Sequence, residues 1–158
     1  MNESTTALVA GVMGLGLITG AAPKGAGMAQ QAKGTFEVKV TPTPYEAKDA
    51  VANGRLTLAK TFAGDLAGTS QGEMWTADTT VQGSAGYVAI EKVSGTLGGR
   101  RGSFTLLHQG TMSHGGDFKL NVVVVPDSGT DQLAGLRGTM AIVIKDRQHF
   151  YELDYELP

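Results

Sequence analysis

The sequence predicts an all-β chain that folds as one closed, antiparallel, eight-stranded β-barrel. Three observations predict it. From Gly34 onward apolar and polar residues alternate with period two, no stretch of ten residues carries helical spacing, and glycine is in excess. The 23 glycines in 158 residues are about twice the usual share of roughly 7%, and they ask for many turns and bulges.

The alternation is clearest in "TFEVKV", where Phe36, Val38 and Val40 oppose Glu37 and Lys39, as in a strand with one buried face. Further strand-like stretches follow at 56–62, 69–76, 87–93, 103–109, 119–125, 138–144 and 150–155. Between them "ANG", "GTLGGRRGS", "MSHGGD" and "VPDSGTDQLAG" carry the glycine, Asp and Asn chemistry of tight turns. Eight antiparallel strands without covering helices must hide two open edges, and closure removes them, which favours a barrel over a sandwich. In "VVVVPDSGTDQLAGLRG" the run 122–125 is apolar on both faces, so that strand is buried twice or packs outward on a second copy, leaving room for a homo-oligomer. Pro126 ends it, and Gly129 is expected to supply the positive φ of the turn.

A chain of 158 residues holds one domain. A formal charge of −2 and a single adjacent basic pair, Arg100 and Arg101, give no stripe for phosphates, so nucleic acid is not an expected partner. Without cysteine there is no disulfide, thiolate metal site or cysteine nucleophile. No cofactor motif is present: "GLGLITG" has glycines at 14, 16 and 20 and misses the dinucleotide spacing by one residue.

Residues 7–22 form an apolar run of 16, shorter than the roughly 18 to 20 that span a bilayer. Gly27 and Ala29 stand where a signal peptidase reads small residues, so 1–29 is read as a cleaved signal peptide and 30–158 as the barrel domain. The start "MNESTT" departs from the pattern in lacking Lys or Arg. The expected location is periplasmic or secreted, with no membrane span in the mature chain, and cytoplasmic if the segment does not export.

The phrases "KGTFEVKV", "EMWTA", "SAGYVAIEKVSGTLGGRRGSFTLLHQGTM", "VVPDSGTDQLAGLRGTM" and "HFYELDYEL" resemble the bacterial family called domain of unknown function 3224, in order from about Lys33 to the C-terminus. The resemblance implies an eight-stranded barrel similar to those of allene oxide cyclase and the dirigent proteins. It implies no activity. The barrel relatives bind apolar or aromatic small molecules, but a shared fold does not transfer function.

"GTSQG", residues 68–72, matches the G-x-S-x-G pattern of a nucleophile elbow at Ser70. An elbow needs a strand, a sharp turn and then a helix, and "EMWTADTTVQGSAGY" offers β-formers instead, so Ser70 is read as a strand residue and not a nucleophile. Three histidines, His108, His114 and His149, do not share one face at metal-ligand spacing. No metal site is expected.

Face sharing gives better candidates. Tyr87, Ala89 and Glu91 share one face of their strand, and Phe104, Leu106 and His108 one face of the next. In the last strand His149, Tyr151, Leu153 and Tyr155 oppose the acids Glu152, Asp154 and Glu156, which should face water. If Glu91 faces inward, desolvation would raise its pKa and suit it to proton transfer, with His108 orienting it or acting beside it. Parity leaves the outward alternative open, since Val88 and Ile90 could equally claim the core. The candidate catalytic residues are thus Glu91 and His108, and the candidate ligand contacts Tyr87, Phe104, Tyr151 and Trp75, the last at a cavity mouth or in a core corner.

Two readings follow. The barrel binds a small apolar or aromatic molecule, and could act on it as a cyclase or isomerase does. Alternatively it is a non-catalytic exported carrier or a structural barrel filled by its own side chains. Interior volume separates them, because ligand pockets run to about 300 to 1,000 Å³.

Overall fold

The computed structural model describes residues 27–45 and 52–158, so most of the segment read as an export signal lies outside the described residues. Eight strands follow in order: β1 (Gln30–Pro42), β2 (Gly54–Gly64), β3 (Leu66–Asp78), β4 (Ala85–Leu97), β5 (Arg100–Met112), β6 (Phe118–Val124), β7 (Arg137–Lys145) and β8 (Gln148–Glu156). Each pairs antiparallel with the next, and β1 pairs with β8, so the sheet closes into an up-and-down barrel. Closure pairs the strand edges that an open sheet would expose, except along part of the β6–β7 seam.

All eight predicted strands are present, and the hairpins are tighter than the sequence suggests. In "GTLGGRRGS" Gly95 faces Gly102 across the β4–β5 ladder, and only Gly98 and Gly99 turn, with φ of 55° and 81°. Two successive positive φ values make the hairpin turn whose twist matches that of the strands, and glycine takes them without strain. The β7–β8 hairpin uses the same turn with Asp146 and Arg147, at φ of 52° and 65°. Arg147→Gly is therefore expected to stabilise the barrel by about 1 kcal/mol. A thermal melt should show Tm rising by roughly 2–4 °C.

In the β6–β7 loop the positive φ values belong to Asp127 (59°), Asp131 (52°) and Gly135 (82°), not to Gly129. A side chain at Gly129 would collide with the Leu133 carbonyl, so this glycine serves close approach. The loop forms a 3-10 turn (Asp131–Leu133) and is held to β5, with Thr130 N–H donating to Ser103 O at 2.9 Å. It inserts Leu133 and Leu136 into the core, both fully buried.

That loop, the β2–β3 and β4–β5 turns and the C-terminus share one end of the barrel. There Leu66, Leu97, Phe104, Leu133, Leu136, Leu153, Tyr155 and Leu157 pack a solid core. Along β8 Tyr151, Leu153 and Tyr155 are buried while Glu152, Asp154 and Glu156 are exposed, the alternation expected from the sequence. In the 122–125 run Val122 and Val124 join the core, while Val123 and Val125 are half-buried on the other face.

The opposite end carries the β1–β2, β3–β4, β5–β6 and β7–β8 connections. Among the described residues β6 and β7 are joined by the single pair Val123↔Thr139, so the wall lacks a ladder from there to that end.

Candidate functional site

Midway along the barrel four neighbouring strands turn polar side chains inward at one level. In β2, Lys60 stands between the inward residues Leu58 and Phe62; β3 contributes Ser70, β4 Glu91 and β5 His108. Their exposures are 7%, 4%, 0% and 3%, in a wall that is otherwise apolar. Such groups persist in a core only when they satisfy one another. Lys60 Nζ donates to Glu91 Oε2 at 2.7 Å, and the Ser70 hydroxyl donates to Glu91 Oε1. His108 Nε2 lies 2.9 Å from Glu91 Oε2, but its N–H is not aligned for a hydrogen bond, and it has no other partner among the described residues.

The second glycine of "GTSQG" explains how β3 reaches this carboxylate. Gly72 lies opposite Glu91 in the ladder, and a Cβ there would stand 2.5 Å from Ile90 O and 2.9 Å from Glu91 Cα. Only glycine lets the strands approach so closely. Ser70 lies within β3, with no helix after it, so the motif is a strand motif and its hydroxyl supports a buried anion.

Glu91 faces inward, but its ionisation runs opposite to the expectation. Burial alone pushes its pKa up; the His108 ring, the Lys60 charge and hydrogen bond, and the Ser70 hydroxyl together outweigh burial and hold it at about 2. At neutral pH Glu91 is a fixed carboxylate. Lys60 Nζ also lies 4.8 Å from the Phe36 ring centroid and 5.8 Å from that of Phe62, within cation–π range.

Above this cluster, toward the end opposite the packed core, the barrel holds a cavity of about 570 Å³. Lys60, His108, His149 and Phe36 line its deep part; Val38, Leu58, Met74, Tyr87, Leu120 and Ile142 line its walls. Thr76, Asp78, Met112, Phe118 and Ile144 line its rim, where Phe118 is 54% and Ile144 64% exposed. Both flank the unlaced β6–β7 seam. Glu91 is absent from this lining and sits beneath the floor, with Lys60 and His108 between it and the cavity. The Tyr87 ring packs over Gly110, where any side chain would displace it, and burial raises the pKa of its phenol.

Of the residues expected at the site, the structure brings His108 and Tyr87 to the cavity and puts Glu91 just below it. Three others lie elsewhere. Phe104 is in the packed end, because its register places it beyond the polar level. Tyr151 is also core: its hydroxyl accepts from Leu66 N–H at 2.8 Å and lies 3.2 Å from the carbonyls of Lys33 and Leu66. It ties β8 to β1 and the start of β3, a structural role. Tyr151→Phe leaves the buried Leu66 amide unpaired, and is expected to cost about 1–3 kcal/mol in a denaturant titration. Trp75 has outward parity on β3; its ring meets Tyr45 edge-on at 4.8 Å and carries Arg55 at 5.5 Å, on the outer wall beside Val88, Ile90 and Leu107.

Lys60, Ser70 and His149 were not foreseen as site residues. The signal for Lys60 was in "LTLAKTF", where a lysine takes the parity of Leu58 and Phe62. His149 stacks on Phe36 at 5.0 Å, and His114 sits in the β5–β6 turn with Nδ1 3.0 Å from Gln82 O. Among the described residues no group of three or more His, Asp or Glu is placed to hold a metal ion. Nor is any helix among them long and apolar enough to cross a membrane.

The family model described as "Protein of unknown function (DUF3224)" matches residues 32–155. A crystal structure of a protein of unknown function from that family, from Shewanella oneidensis MR-1, is 50% identical, with a TM-score of 0.75 over 82% of this chain and 98% of that one. No curated protein matches the chain.

Proposed function

The chain belongs to the DUF3224 family, and we propose that it binds one small, largely apolar molecule inside the barrel. The observation that carries this reading is the cavity of about 570 Å³ between a solid core and an apolar rim, a size typical of ligand pockets. A self-filled barrel would continue its core packing to both ends; here inward side chains at the second end surround space instead. The reading is one of binding: Glu91, one of the two residues expected to carry a proton, lies beneath the floor and is held ionised.

The test is a fluorescence titration with N-phenyl-1-naphthylamine, a neutral probe that brightens in apolar surroundings. One probe per chain is expected. Met74→Trp and Ile142→Trp, each filling the cavity from a different wall, should weaken uptake about tenfold or more by displacing probe volume. No brightening in the parent protein, or uptake in both variants equal to that of the parent, would sink the reading.

We also read residues 1–29 as an export signal, supported by the apolar run 7–22 and the small residues Gly27 and Ala29. Binding would then take place outside the cytoplasm. N-terminal sequencing of the protein from its own source should begin at Gln30; a chain retaining its first residues would refute this.

A further inference from the structure

We infer that the cavity selects molecules carrying a neutral oxygen acceptor, such as a ketone, aldehyde or lactone carbonyl on an apolar body, and that Lys60 Nζ supplies the hydrogen bond. This rests on the binding reading and names the ligand class. The first observation is the unused donor capacity of Lys60. Its ammonium has three N–H groups; Glu91 Oε2 takes one, and among the described residues no other oxygen or nitrogen accepts from it. The side chain is only 6% exposed, so bulk water does not readily complete its shell, yet Lys60 lines the cavity. A buried donor without an acceptor is unfavourable, and an oxygen brought in by a ligand removes that penalty.

The second observation is charge. Glu91, ionised and 2.7 Å from Nζ, already neutralises the lysine. A ligand carboxylate would bring a second anion beside Glu91 in a poorly solvated place, and a ligand ammonium would face Lys60. A neutral carbonyl avoids both conflicts while using the spare donor. Phe36 and the cavity walls suit the apolar remainder.

Reach sets the length of that remainder. From the floor at His108 to the rim at Met112 is four residues of β5, about 13 Å along the strand and about 10 Å along the axis of a tilted barrel. A medium-length ketone fits this span.

The experiment displaces bound N-phenyl-1-naphthylamine with 2-decanone, decane and decanoate, in the parent protein and in the double variant Lys60→Met with Glu91→Gln, which removes both charges together. The expected result is that the affinity ratio of 2-decanone over decane falls about tenfold in the double variant, the effect of one hydrogen bond, and that decanoate binds the parent more weakly than 2-decanone. An unchanged ratio, or decanoate as the tightest ligand, would overturn the inference while leaving apolar binding in place. Failure of the probe to bind the parent protein at all would overturn both. Should the double variant not fold, the infrared carbonyl stretch of 2-decanone bound to the parent decides: a frequency below that of the ketone in hexane supports the bond to Lys60, and an unshifted frequency refutes it.

Discussion

Glu91→Gln is expected to lower the stability of the barrel by about 3–5 kcal/mol, the cost of leaving one member of a buried ion pair alone. Glutamine keeps the shape of glutamate but leaves the ammonium of Lys60, 6% exposed, without its anion. The Ser70 hydroxyl also loses a charged acceptor. Removing both charges should restore most of the loss, because an apolar or neutral pair in place of a buried ion pair is often no less stable. The check is a double-mutant cycle by denaturant unfolding, comparing Glu91→Gln, Lys60→Met and the two together. Additive single effects would mean that the pair is not coupled in solution. The same substitution cannot serve as a clean test of proton transfer at this site, since it removes a structural anion.

The second large effect is acid sensitivity. Glu91 has its ordinary pKa of 4.5 shifted down to about 2 in the folded chain. The folded state thus binds this proton less readily than the unfolded state, so the stabilisation is fully present above about pH 4.5 and is lost as pH falls through about 2. The loss should be on the order of 3 kcal/mol. Other carboxylates titrate in the same window, so the measurement is a difference: stability against pH for the parent minus that for the Lys60→Met and Glu91→Gln double variant. A difference that falls steadily from pH 5 to pH 2, as the parent alone loses this contribution, is expected. A flat difference would mean that the carboxylate is not held by its neighbours.

The strands were legible in the sequence because each has one buried face, and period-two alternation records that directly, as in Phe36, Val38 and Val40 or in Tyr151, Leu153 and Tyr155. Turn chemistry was legible where glycine alone can act, at Gly98 and Gly99, and misleading where Asp127, Asp146 and Arg147 take positive φ. The site was legible only in part. Parity told which residues share a face but not how far along the axis each one sits. Phe104 and Tyr151 face inward as expected, yet register carries them into the packed end, while His108 and Tyr87 stop at the cavity. Trp75 shows the other limit: a large aromatic ring suggests an interior, but its strand neighbours Ser70, Gly72 and Met74 hold the inward parity. The sign of the Glu91 shift depended on His108, Lys60 and Ser70 together, and the last two come from strands whose register against Glu91 the sequence does not give. Burial without those partners would have given the opposite sign.

Native mass spectrometry of the protein purified from its own source, followed by solvent extraction and incubation of the emptied protein with 2-decanone, tests the central claim most directly. One small neutral molecule per chain, released by organic solvent, is expected, or a one-to-one adduct formed on incubation and weakened in Met74→Trp. A chain that carries nothing from its source and forms no adduct on incubation would contradict it, and would return the barrel to a structural role.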